Sequence, residues 1–155
     1  MSKTTMTLDQ ALLDELRRRR AELRESMTAL EHALAAPVTA DPGRWAVRVH
    51  VALVELSADL RLHVDVTEGE GGLYSDLREA TPRLSPAVDQ LTHEHAKLRQ
   101  TLDELMLLLD GPYPISDAAA IRYGATNLLG MFARHRQKGA DLVYEAFSVD
   151  VGGET

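Results

Sequence analysis

Residues 85–110 read SPAVDQLTHEHAKLRQTLDELMLLLD, and the spacing inside this stretch decides the fold. Leu91, Leu98, Leu102 and Leu105 recur at the intervals that line one face of an α-helix. His95 stands in the same stripe, where a leucine would complete it. Pro86 falls in the first turn, a favoured placement, and Asp110 before Gly111 and Pro112 marks the end.

Moving outward in both directions, the same arrangement returns twice. Before it, Val49, Leu53, Leu56 and Leu60 share a face with His63; after it, Ile121, Ala125, Leu128, Phe132, His135, Gly139 and Leu142 form one stripe. The segment from about Thr7 to Ala36 carries Leu12, Leu16, Leu23, Met27, Leu30 and Leu34, a long amphipathic helix that Pro37 and the following VTADPG interrupt. Asp41 ahead of Pro42 and Gly43 reads as a turn into a second helix, from about Trp45 to Val66. TEGEGG, residues 67–72, holds three glycines, each costing roughly 1 kcal/mol in a helix interior, so a bend is expected before Leu73–Ala80 turns helical again. Ser116 or Asp117 can cap the last helix, expected to reach about Phe147, with residues 148–155 an irregular tail. The expectation is all-α: one domain over residues 1–155, an up-down-up-down four-helix bundle.

Depth follows from residue counts at about 1.5 Å of rise each. His95 lies 15 residues before Asp110, His135 18 after Asp117 and His63 19 after Arg44, so the three imidazoles are expected at one level near one end of the bundle. On the first helix that level falls at Arg19 and Arg20, and the Leu16-to-Leu23 spacing assigns Arg20 to the core stripe. A buried imidazole without a partner costs roughly 1–3 kcal/mol, so convergence calls for carboxylates, hydroxyls or a metal ion.

Composition narrows the chemistry. The 45% apolar and 26% charged residues suit a soluble globular domain, and a net charge of −7 argues against nucleic acid as partner despite the basic run Arg17 to Arg20. No apolar run is long enough for a membrane span, and the first ten residues have no hydrophobic signal core, so a cytoplasmic location is expected. Without cysteine, a transition metal has only His, Asp and Glu to hold it, a set suited to iron, manganese or zinc. Neither a Gly-rich phosphate loop nor a nucleophile elbow is present.

The segments HVDVTEGEGGLY from His63, THEHAKL around His95 and RHRQKGADLVYEAF from Arg134 resemble the hemerythrin-like, or HHE cation-binding, family over about Leu8 to Phe147. The resemblance implies a four-helix bundle holding two non-haem irons through histidines and carboxylates, with oxygen, peroxide or nitric oxide as ligands. By the same resemblance His63, His95 and His135 are the metal ligands, and the nearest matches to the family's carboxylates are Glu68, five after His63, and Asp141, six after His135. The chain departs from that pattern at Arg20, where the family places a histidine, and at Thr67 and Gly139, four residues after their histidines. A guanidinium cannot ligate a metal, so the inventory fits one ion, or none, better than two.

Expected as cofactor, then, is iron in one or two ions, another divalent metal, or none. Expected partners are a small diatomic or peroxide ligand, with neither nucleic acid nor membrane, and homodimer formation stays open, as does catalysis. The competing reading is a metal-free bundle whose pocket of Arg20, Glu70, Tyr74 and Tyr144 takes a small anionic ligand, or which serves as a protein-association scaffold. In that reading Arg20 is neutralised inside the bundle by Glu68, Glu70 or Asp141.

Overall fold

The apolar stripes set the architecture. A computed structural model describes residues 10–110 and 118–152, with side chains through residue 146. Helix α1 spans Gln10–Ala35, α2 Pro42–Glu68, α3 Leu73–Ala80, α4 Ser85–Leu109 and α5 Ala118–Gly152, with a 3-10 turn at Pro82–Leu84. The four long helices form the bundle, α1 packing chiefly on α2, and α4 on both α5 and α2. The described residues contain no strand.

Local chemistry explains the boundaries. Asp41 caps α2, its Oδ1 accepting from the Arg44 backbone N–H at 3.0 Å while Pro42 opens the first turn. At the other end of α2, Gly71 adopts a φ of +72°, and a side chain at Gly72 would put its Cβ 2.8 Å from the carbonyl oxygens of Val66 and Gly69. The glycine-rich stretch is therefore a tight bend from α2 into α3, as its composition predicts. The last helix continues past Phe147 to Gly152. The proposed cap at Ser116 or Asp117, the segment before Gln10 and the end of the tail lie outside the described residues.

Two apolar clusters fill the interior. The larger joins Leu23, Leu30, Trp45, Leu53, Leu102 and Leu128 with their neighbours from all four long helices. Each fully buried leucine contributes about 1.5–3 kcal/mol of transfer free energy. The smaller gathers Leu16, Leu73, Leu77, Val88, Leu91 and Leu142, with α3 laid across it. Each histidine falls between a residue of the larger cluster and one of the smaller: Leu60 of α2 and Leu73 of α3 for His63, Leu98 and Leu91 of α4 for His95, and Phe132 and Leu142 of α5 for His135. The imidazoles thus form a polar layer between two apolar ones, roofed by α3.

Candidate metal centre

Sequence spacing alone places the three rings at one level, and the structure brings them into contact. Ring centroids are 5.0 Å apart for His63 and His95, 5.6 Å for His63 and His135, and 4.6 Å for His95 and His135. One nitrogen from each ring lies within 4.8 Å of the other two. All three side chains are buried.

Carboxylates orient two of the rings. The Nδ1–H of neutral His95 donates to Glu68 Oε2 at 2.5 Å, and that of His135 to Glu94 Oε1 at 2.7 Å. Lys138 Nζ holds the second Glu94 oxygen at 2.6 Å. With Nδ1 carrying the proton, Nε2 of each ring keeps its lone pair, the tautomer that ligating histidines adopt when a carboxylate backs them. The Tyr74 ring stacks on His95 with an interplanar angle of 11° and centroids 5.8 Å apart, its hydroxyl 3.5 Å from Nε2. His63 differs from the others: both of its ring nitrogens are buried with no hydrogen-bond partner among the described residues.

Electrostatics favour neutral imidazoles. Desolvation, with additional repulsion from His95, His135, Arg20 and Arg136, takes His63 down to about 3. Desolvation likewise takes His95 to about 3 and lowers His135, although Glu94 opposes the shift at the latter. Burial alone would raise Glu94, but hydrogen bonds from Lys138 and His135 outweigh it and hold the carboxyl below its ordinary range. Burial raises Glu68 and Tyr74. Three neutral imidazoles with inward lone pairs are donors suited to a borderline transition metal.

The donor set passes a simple fit test. A tetrahedral ion with bonds of about 2.0–2.1 Å separates neighbouring nitrogens by about 3.3 Å, so ring shifts of about an ångström gather the set. An ion would also give His63 the partner that no described protein group supplies.

Other expected site residues stand elsewhere. Glu68 belongs to the centre, but its carboxylate lies on the outer nitrogen of His95. Asp141 is exposed and accepts from Gln137 at 2.9 Å, because six residues from His135 is well round the helix and α5 remains regular through Gly139. Glu70 is exposed beyond the end of α2, and Tyr144 is 74% exposed on the outer face of α5. Tyr74 is buried and lines the cavity beside His63. Arg20 is not locked in an internal ion-pair network: it is exposed, reaches the cavity beside His63, and pairs with no carboxylate among the described residues. Its neighbour Arg19 takes the more sheltered position, bound by Glu15 and Glu22 at 2.7 and 2.8 Å. Glu94 and Lys138 escaped the sequence reading. Their one signal is adjacency, Glu94 preceding His95 and Lys138 lying three residues after His135.

The hemerythrin HHE cation-binding domain matches residues 11–147 of the chain. No curated protein and no solved structure matches it.

Proposed function

The chain belongs to the hemerythrin HHE cation-binding domain family, and from that premise we propose that His63, His95 and His135 hold a single non-haem metal ion, iron, and that the centre interacts with dioxygen, peroxide or nitric oxide. The observation that carries this reading is the pairing of Glu68 with His95 and of Glu94 with His135, each on Nδ1, beside a His63 with both nitrogens unpartnered. Three core histidines serving packing alone would spend their polar atoms on protein partners. One ion also fits the absence of a histidine at the level of Arg20 on α1 and of carboxylates at Thr67 and Gly139.

When bound, iron supplies Lewis-acid and redox chemistry toward small oxygen and nitrogen ligands. The chain's own residues prepare the surroundings. Glu68 and Glu94 fix ring orientation and tautomer, and Lys138 restrains Glu94 from the surface. The Tyr74 hydroxyl, kept protonated by burial, stands beside His95 Nε2 as a hydrogen-bond donor. Thr67 Oγ1 donates to the His63 carbonyl at 2.8 Å, so it turns its hydroxyl away from the imidazoles. The two apolar clusters limit water around the layer. Among the described residues no helix is long and apolar enough to cross a membrane, and we place the protein in the cytoplasm.

Metal analysis of untagged protein, reconstituted anaerobically with ferrous iron, tests the assignment. We expect about one iron per chain, lost in His63→Ala and in His135→Ala. Wild-type protein that retains no iron, cobalt or zinc after reconstitution overturns the reading.

A further inference from the structure

Beside the histidines, between α1 and α5, lies a cavity of about 260 Å³. Leu13, Leu16, Leu23, Leu73, Leu91 and Leu142 supply most of its wall, and buried His63 marks its inner side. It exists because α1 brings leucines and Arg20 to this level, and because Gly139 projects nothing: a Cβ built there meets no atom within 4 Å.

The mouth has the opposite character. Arg17, Arg20 and Arg136 line the cavity, and the adjoining surface hollow is formed by the same three with Ala21, Arg24 and Glu25. Arg17 has Asp14 at 4.0 Å, whereas Arg20, Arg24 and Arg136 pair with no carboxylate among the described residues. Arg136 Nε is buried with no partner among the described residues, and both Arg20 and Arg24 repel its charge. A cluster of unpaired guanidiniums is unusual in a chain of net charge −7, where carboxylates outnumber cations. Such a cluster around an apolar recess is complementary to an anion with an apolar body, because guanidinium forks bind carboxylates through paired hydrogen bonds.

We infer that this cavity binds an organic monocarboxylate, its carboxylate held by Arg20 and Arg136 and its hydrocarbon body among the leucines next to His63. Size limits the class. A cavity of about 150 Å³ takes benzene, so this one admits a medium-chain alkyl or a substituted aryl acid, and it is too small for a two-chain lipid. The site goes beyond the metal assignment and does not require it, since the arginines and leucines are in place without an ion.

Octanoate is the probe, titrated calorimetrically and by amide chemical shift into the full-length protein, both metal-free and cobalt-loaded. Saturable one-to-one binding is expected, about tenfold or more tighter than 1-octanol, which has the tail without the charge, and than acetate, which has the charge without the tail. Arg20→Gln and Arg136→Gln should each weaken octanoate about tenfold and leave octanol unchanged. Gly139→Leu should abolish binding by filling the cavity while helix content and cobalt uptake persist, because the open Cβ position accepts a side chain and leucine is the better helix former. Octanol or acetate binding as tightly as octanoate overturns the proposal, as does a folded Gly139→Leu protein that still binds octanoate. Octanoate binding to a protein that takes up no metal would sink the metal reading alone, and cobalt uptake without octanoate binding would sink this one alone.

Discussion

Helix α5 carries an arginine toward each end of the bundle, and their surroundings could hardly differ more. Near its start, Arg122 donates from Nε to the Leu34 carbonyl at 3.0 Å and from its Nη2 to the Ala36 carbonyl at 2.8 Å, with its guanidinium carbon 5.5 Å from the Trp45 ring centre. It satisfies carbonyls that the end of α1 leaves without intrahelical donors. Near the histidine layer, the buried Nε of Arg136 has no hydrogen-bond partner among the described residues, and neither has either ring nitrogen of His63. In the first region the Arg122 guanidinium is matched to backbone carbonyls beside a leucine core, Trp45 Nε1 being the buried side-chain nitrogen left without a partner there, and in the second Arg136 Nε and both His63 nitrogens are unmatched among the described residues. Stability resides in the first region, and the unmet bonding capacity of the second is what a ligand can use.

Acid should break the comparison most strongly. The folded-state pKa values of His63 and His95 fall to about 3, from an unfolded value of about 6.5, and that of His135 is lowered too. Below about pH 6.5 the unfolded chain therefore binds protons that the folded chain refuses, so stability drops as pH falls toward 3 and is unaffected by these groups above 6.5. Each such histidine contributes a slope of about 1.4 kcal/mol per pH unit within the window. Denaturant melts of metal-free protein between pH 7.5 and 5 should show midpoints falling steeply, and a flat profile would mean that the rings are not buried neutral.

Next in size is a cavity cut in the leucine region. Leu128, with no exposed surface in the larger cluster, should cost about 2–5 kcal/mol as Leu128→Ala, with metal uptake at saturating ion preserved in the folded fraction. His63→Leu should do the reverse. In the metal-free protein, removing two unpartnered buried nitrogens raises stability by about 1–3 kcal/mol while metal uptake disappears. If His63→Leu instead destabilised metal-free protein, His63 would hold a structural partner and the contrast between the regions would fail.

The contrast also explains what was legible in the sequence. The leucine stripes, the bend at TEGEGG and the shared depth of three histidines follow from helical period and rise, and these carry over to the folded chain because α2, α4 and α5 are regular. Glu94 was not legible because a residue adjacent to His95 is turned about 100° from the core stripe; it joins the site only through the packing of α4 on α5. Asp141 misled for the complementary reason, since its nearness in sequence demanded a distortion of α5 that does not occur. Arg20 occupies the right level, but a long side chain at the margin of a stripe can run outward along its apolar stem, and sequence does not choose its direction. The roof formed by α3 was visible as a helix, but the apolar layer it creates beyond the histidines was not, because Leu73 and Leu77 meet Leu91 and Leu142 only in three dimensions.

The smallest effect is the one that isolates the comparison, since it sets the two arginines of α5 directly against each other. Arg122→Met keeps much of the stem that packs on Trp45 but leaves the Leu34 and Ala36 carbonyls without their donors, a loss of about 1–2 kcal/mol for charge-assisted bonds that are only partly buried. Arg136→Met removes no hydrogen bond made by a described residue, ends the repulsion from Arg20 and Arg24, and relieves a buried unpartnered nitrogen. In ligand-free protein it should be neutral or stabilising by up to about 1 kcal/mol. Urea melts at pH 7.5, above the window in which the histidines contribute, read the difference without interference from protonation of the layer. Equal losses from the two substitutions would show that Arg136 has a partner of its own and that the guanidinium cluster is not poised for an anion. Opposite signs would place a matched and an unmatched guanidinium on one helix, fourteen positions apart at Arg122 and Arg136.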